Sequence, residues 1–150
     1  MEGPMSQFWQ WQWIGILIAR LTVGLLFAIS GVGKLFVRSR REQMRQTLIA
    51  AHIPLPRVAA IFVSSVEFVF GAFLVFGFVT ALACLMLGAI MVVALSTTVL
   101  PGIKERRFVN WLGAFLYLPE VLYVVVLLWL FFSGPGWLSA DQFFFSTAVR

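Results

Sequence analysis

The chain has 150 residues, of which 61% are hydrophobic and only 11% charged, and its formal net charge is +5. About a quarter of the residues of a soluble domain are charged, so this composition indicates an integral membrane protein with no length left for a separate soluble domain. One cysteine and one histidine exclude thiol–disulfide exchange within the chain and argue against a metal or haem site.

Four apolar stretches are each long enough to cross a bilayer, which takes roughly 20 helical residues. They cover residues 13–36, 58–78, 80–100 and 109–132. A tight turn near Gly77 must separate the second from the third, because one helix over 58–100 would be about 65 Å long, twice the hydrocarbon thickness. The predicted fold is all-α: a polytopic membrane protein whose four-transmembrane-helix bundle forms a single domain over residues 1–150.

A short interfacial helix is predicted between the first two stretches, over residues 38–53, and Pro54 and Pro56 end it. Its basic side chains recur at helical spacing and are predicted to face lipid head groups. These residues are Arg38, Arg41 and Arg45. The alternative is a solvated basic face without lipid specificity.

The basic residues outside the apolar stretches fall mainly in two short loops, around residues 34–57 and at Lys104, Arg106 and Arg107. This distribution is typical of membrane orientation and does not favour a nucleic-acid partner. The positive-inside rule predicts that both loops are cytoplasmic and that both termini lie on the outer side of the membrane. An aromatic belt at the outer interface is then expected from Phe8, Trp9, Trp11 and Trp13.

Three ionisable residues lie deep within the apolar stretches: Arg20, Glu67 and Glu120. A charged group at bilayer depth costs roughly 2.5–3.5 kcal/mol, so such groups usually face the protein interior and form a pairing network or a working site. Helical spacing places each of them on a face with small or polar residues. We therefore expect all three to point into the bundle, with Arg20 paired to one of the two carboxylates.

One arginine cannot neutralise two carboxylates, so one glutamate is expected to carry a proton, because burial disfavours the charged form. Lys34 is expected either to assist or to extend its ammonium group to the interface. Beside Glu120, the hydroxyls of Tyr117 and Tyr123 favour a proton relay or a hydrogen bond to a quinone or another polar ligand. The alternative is a structural network that fixes helix register. Pro119 is predicted to kink the last helix and to favour a cavity there.

Three segments carry a resemblance to a known family. The first runs from Ala19 to Leu35 and includes Arg20, Gly24, Gly31 and Lys34; the second is Glu67 followed by Gly71, Leu74 and Gly77; the third is Gly134-Pro135-Gly136 with Ser139 and Asp141. Together they resemble the DoxX family of small four-helix bacterial membrane proteins. One departure is Ala81 after Thr80, where that family often has an arginine.

The resemblance implies a bacterial cytoplasmic (inner) membrane protein, in which the outward-facing termini are periplasmic. The family includes a subunit of a thiosulfate:quinone oxidoreductase and other members associated with membrane redox complexes, besides distant eukaryotic relatives in protein trafficking or assembly. The expected function is a redox-associated subunit with a quinone or small polar ligand in its bundle. Besides the bilayer, its candidate partners are membrane or periplasmic redox proteins and a second copy of the chain.

Two other functions stay open at this point: a non-enzymatic assembly or scaffold factor, and a proton-coupled carrier of a small solute. If the chain takes part in catalysis, the resemblance implies a subunit of a membrane quinone-linked oxidoreductase. Quinone is the one cofactor considered, and no metal site is predicted.

Overall fold

The computed structural model of the protein describes residues 4–103, 108–136, 139–141 and 143, and for residues 4–10, 98, 99 and 102 it describes the backbone alone. These residues form helices and connecting turns, without a strand, as the composition predicts. The α-helices are α1 (Pro4–Phe36), α2 (Arg38–Ala50), α3 (Pro56–Phe76), α4 (Thr80–Ala94), α5 (Phe108–Leu116) and α6 (Pro119–Ser133). A π-helical segment (Leu95–Val99) and a 3-10 turn (Leu100–Gly102) extend α4.

Three segments are long and apolar enough to span a membrane: Trp11–Phe36, Pro56–Phe76 and Thr80–Thr97. The fourth predicted stretch is divided into α5 and α6, which meet at an angle of 62° and make a fourth span if they are counted together. The break lies immediately before Pro119, where the missing amide hydrogen and the ring prevent the preceding turn from continuing as helix. The kink predicted at this proline is therefore present, and it is large enough to end one helix and begin another.

The predicted interfacial helix is α2, which begins after one extended residue, Val37, at the end of α1. Leu48 is its one buried residue, and its other side chains are exposed or half-buried. His52 and Leu55 adopt left-handed backbone conformations in the connection to α3, and Pro56 takes the first helical position of α3, where a proline is well tolerated. We call this end of the bundle, which carries α2, the basic end.

Antiparallel packing of α1 against α3 depends on glycines that bring the two backbones together. A Cβ atom on Gly31 would lie 2.5 Å from the amide nitrogen of Phe68, and one on Gly71 would lie 2.5 Å from the amide nitrogen of Ala28. Small residues permit such close approach, on which helix association in lipid depends. The same register brings Arg20 to Gly77, at the end of the bundle opposite α2, and brings Ser30 and Lys34 to Glu67.

Gly71→Ala is expected to destabilise the protein by about 1–3 kcal/mol, because the added methyl group meets the backbone of α1 and cannot be accommodated by a side-chain movement. Gly88→Ala in α4 is the matched control, since nothing lies within 4 Å of a Cβ atom at that position, and alanine is the better helix former. Thermal unfolding in detergent measures both variants. Equal melting temperatures for the two would contradict the close contact of α1 with α3.

Candidate functional site: a cavity with a buried ion pair

Glu67 lies in the middle of α3 with 1% of its surface exposed, and Lys34 of α1 neutralises it. The ammonium Nζ of Lys34 lies 2.7 Å from both carboxylate oxygens, Oε1 and Oε2. The hydroxyl of Ser30, one helical turn before Lys34, donates to Oε2 at 3.4 Å. Charge-assisted, nearly bidentate bonding of this kind is what a carboxylate in a low-dielectric interior requires. Lys34 is therefore a partner of Glu67, although its side chain keeps 25% of its surface exposed.

Arg20 does not join this pair, which corrects the expectation that it neutralises one of the glutamates. Its guanidinium Nη1 donates to the carbonyl oxygen of Pro135, and Asp141 attracts it electrostatically. Along α1, Arg20 is ten residues from Ser30, or roughly 15 Å at 1.5 Å per residue. A side chain cannot cover that distance, so Arg20 and Glu67 belong to different ends of the bundle.

The segment after α6, described over residues 134–136 and 139–141, folds back over the turn at Gly77 and is called the clasp below. The carboxylate of Asp141 accepts the amide hydrogens of Val79 at 2.6 Å and of Thr80 at 2.8 Å. Its own amide donates to the carbonyl oxygen of Gly77 at 3.0 Å. The first amides of a helix have no partner within the helix, so Asp141 supplies an N-terminal cap for α4 from a remote part of the chain.

Glu120 occupies the first turn of α6, and its oxygen Oε2 is buried without a hydrogen-bond partner among the described residues. The side chain faces a cavity of about 620 Å³ that Glu67, Lys34, Ser30 and Tyr123 also line. The structure thus brings five polar residues together around one cavity, where they can form a ligand site. Among the described residues, no cation forms an ion pair with Glu120.

The rest of the cavity wall is mostly apolar. It is built from α1, α2, α3, α4 and α6, and includes Phe27, Leu48, Val66, Met86, Ile90 and Met91. Tyr123 also packs edge-on against Phe27, with ring centroids 5.8 Å apart. An apolar enclosure of a few hundred cubic ångströms with a few polar groups is the usual form of a small-molecule site.

Tyr117 does not share the inward face predicted for it, because 91% of its surface is exposed. The prediction extended one helical register through residues 109–132, whereas the break before Pro119 ends that register. Tyr123 lies beyond the break, within α6, and does line the cavity. Neighbours along the sequence on either side of the break therefore face different surroundings.

Among the basic residues of α2, Arg41 donates to the carbonyl oxygen of Leu35 and Arg45 forms an exposed ion pair with Glu42. Arg38 is exposed. Trp11 and Trp13 are exposed at 66% and 39%, as expected of residues in an interfacial belt.

Two parts of the sequence predictions lie outside the described residues. They are the side chains of Phe8 and Trp9 in the aromatic belt, and the basic loop formed by Lys104, Arg106 and Arg107. Within the described ranges, no three His, Cys, Asp or Glu side chains are grouped as a metal site requires.

Fold and site together define a small polytopic membrane protein whose helical bundle encloses an apolar cavity next to a buried ion pair. A family model described as DoxX matches residues 15–100, more than half of the chain. The protein therefore belongs to the DoxX family, as its sequence motifs predict. No curated protein and no solved structure matches it.

The matched region contains Arg20, Lys34 and Glu67, and it ends before α5. Sequence reasoning identified Glu67 and named Lys34 as a secondary candidate, but it missed the parts played by Ser30 and Asp141. The spacing of Ser30 and Lys34, four residues apart on the helix that faces Glu67, is the signal that would have found this pair. For Asp141 the one signal was its place at the end of the motif that begins with Gly134-Pro135-Gly136 and includes Ser139.

Proposed function

We propose that this DoxX protein is a redox-associated membrane subunit that binds a quinone or another small polar ligand in its bundle cavity. One observation carries the proposal: the Oε2 oxygen of Glu120 is buried without a hydrogen-bond partner among the described residues. A buried polar atom left in this condition costs about 1–3 kcal/mol, more if it is charged. A ligand that hydrogen-bonds there would remove that cost.

The size and character of the cavity support a ligand with a polar head and an apolar body. Its volume of about 620 Å³ falls within the usual range for small-molecule sites, about 300–1,000 Å³. The apolar wall suits a quinone ring and the start of its tail, and polar groups to hold the head lie at Ser30, Lys34 and Glu120.

The chain's own residues have separate roles in this proposal. Lys34 pairs with Glu67 and gives the cavity a positive group next to the ligand. Glu120 forms a hydrogen bond to an oxygen of the ligand, and Tyr123 forms the wall beside it. A bound quinone supplies two-electron redox chemistry coupled to protons, and a carboxyl group at this place gives those protons a first exchange site.

Location and partners are part of the same proposal. The positive-inside rule assigns the basic end to the cytoplasm and the Gly77 end, with the clasp, to the periplasm of a bacterial inner membrane. A redox protein in the membrane or periplasm would supply the electrons, and a second copy of the chain is a further candidate partner. The many exposed apolar side chains along the spanning helices support contact with lipid.

Glu120→Leu is expected to weaken binding of a short-chain quinone such as decylubiquinone by about tenfold or more, because it removes the hydrogen-bonding group without opening the cavity. Quenching of the intrinsic tryptophan fluorescence of the purified protein measures the dissociation constant. Glu120→Gln, which keeps a donor, is expected to retain most of the affinity.

Tyr117→Phe is the matched control, since it removes a hydroxyl from the same part of the chain but from an exposed position. Quinone affinity that is unchanged in Glu120→Leu, with the wild-type melting temperature also kept, would overturn the proposed site. Saturable binding that Tyr117→Phe weakens as much as Glu120→Leu does would place the ligand on the lipid-facing surface instead.

An assembly or scaffold role is the second candidate, favoured by the clasp and the Lys34–Glu67 pair, which both connect distant parts of the chain. It predicts that neither the wild-type protein nor Glu120→Leu binds quinone. It also predicts that variants of the clasp reduce the abundance of the protein or the recovery of a co-purifying protein. A proton-coupled carrier would require solute uptake into liposomes that responds to a proton gradient.

A further inference from the structure

A second pocket lies at the basic end, in the angle between the end of α1 and the start of α2. Its volume is about 420 Å³, and it is lined by Lys34, Arg40, Gln43, Met44 and Thr47. We call it the elbow pocket. It differs from the bundle cavity in character, because it is open and mainly polar, yet Lys34, Met44 and Thr47 line both spaces.

Arg40 reaches back over the end of α1 to form one side of this pocket. A Cβ atom on Gly33 would lie 3.1 Å from both Cδ and Nη1 of Arg40, so the absence of a side chain at Gly33 makes room for the guanidinium group. The position of this cation thus depends on packing against α1 as well as on its own helix.

The charges around the elbow pocket are unbalanced. The two ion pairs found among the described residues use Lys34 with Glu67 and Arg45 with Glu42. Hydrogen bonds from Arg45 and then Gln46 lower the pKa of Glu42 to about 2, so that carboxylate is ionised and committed to its own helix. Within the described ranges, Arg40 therefore has no carboxylate partner.

We propose that the elbow pocket binds a phosphate group, held by the guanidinium of Arg40 and the ammonium of Lys34, with the side-chain amide of Gln43 as a further donor. Arginine presents a planar array of donors that matches phosphate oxygens, and lysine adds a point charge. The phosphate belongs either to a lipid head group or to a soluble molecule, since basic pockets at this level of a membrane protein meet both.

Sharing of Lys34 couples this pocket to the buried ion pair. Its ammonium group lies 2.7 Å from Glu67 and also faces the elbow pocket, so a phosphate group competes with the carboxylate for the same cation. The site shares Lys34 with the proposed quinone site, but Arg40 and Gln43 do not line the bundle cavity, so a variant at Arg40 tests phosphate binding separately from quinone binding.

Binding is tested by the melting temperature and by titration of the detergent-solubilised protein with three probes: inorganic phosphate, a short-chain phosphatidic acid, and a diacylglycerol with the same acyl chains. We expect phosphatidic acid, inorganic phosphate or both to bind saturably, and diacylglycerol not to bind. Binding of phosphatidic acid alone assigns a lipid head group, whereas binding of inorganic phosphate assigns a soluble source as well. Absence of binding by both phosphate probes overturns the proposal.

Arg40→Gln is expected to weaken phosphate binding by about tenfold or more, the effect of losing a charge-assisted hydrogen bond. Arg38→Gln is the matched control, because it removes the same charge from the same helix outside the pocket. Both positions are exposed, so the melting temperature without ligand should not change. An equal loss of affinity in both variants would mean diffuse attraction to a basic surface and would overturn the assigned site.

Glu67→Gln gives an independent test, because it releases the ammonium of Lys34 from its carboxylate. We expect phosphate affinity to rise severalfold in this variant, measured at a temperature where it remains folded. A lower or unchanged affinity would contradict the part assigned to Lys34.

Discussion

Lys34→Met is expected to destabilise the protein by about 3–5 kcal/mol, the usual cost of leaving one member of a buried ion pair without the other. Among the described residues, Glu67, whose side chain is 2% exposed, would then keep only the hydrogen bond from Ser30 at 3.4 Å. Methionine preserves most of the apolar volume of the lysine side chain, so the loss arises from charge rather than from a cavity. Thermal or denaturant unfolding in mixed micelles measures the change.

Two further variants separate the ion pair from other effects. Lys34→Met combined with Glu67→Gln should recover most of the lost stability, because the buried carboxylate is then gone. Arg45→Met breaks the other ion pair, which is exposed and is expected to matter little. If Lys34→Met unfolds at the same temperature as Arg45→Met, the pair with Glu67 is not formed in the membrane-protein interior.

Helix positions and inward faces could be predicted because local pattern determines them. The length of each apolar run predicted the spans, and the helical spacing of Glu67 and Gly71 predicted the inward face of α3, which the structure packs against α1. Pro119 marked the place where the last stretch bends. These features depend on residues within one or two helical turns of each other.

Which cation neutralises which carboxylate could not be read from the sequence, because it depends on the register between α1 and α3. The depth of Arg20 in the membrane predicted that it could pair with a glutamate, because its long side chain reaches several ångströms. The observed register instead brings Arg20 to Gly77, and brings Lys34 to Glu67. Lysines near helix ends usually extend toward the interface, and this one turns inward because a buried carboxylate lies beside it.

The contacts made by the clasp could not be predicted from the sequence either. Asp141 is 61 residues from the amide of Thr80 that it caps, and nothing in a local pattern reports a pairing over that separation. The bend before Pro119 had a similar effect on Tyr117, since a helical wheel drawn through the break gave it the wrong face. Errors of the sequence analysis thus concentrate where a helix ends or where distant segments meet.

Gly77→Ala is expected to have the second-largest effect, about 2–5 kcal/mol of lost stability. Two causes contribute. Gly77 has a backbone φ of +66°, a left-handed conformation that costs a residue with a side chain roughly 1–2 kcal/mol. A Cβ atom there would also lie 2.5 Å from Nη1 of Arg20 and 2.7 Å from Cβ of Ser139, and overpacking of this kind costs about 1–3 kcal/mol.

Gly77→Asn distinguishes these two causes, because asparagine adopts the left-handed conformation more readily than alanine but brings the same Cβ atom. A loss that persists in Gly77→Asn must come from crowding of Arg20 and the clasp, and should appear as faster proteolysis after α6 as well as a lower melting temperature. Displacing the clasp also removes the carboxylate of Asp141 from the first amides of α4. The start of α4 and the segment after α6 should therefore both become less stable. Full stability of Gly77→Asn would show that the clasp does not lie against the Gly77 turn.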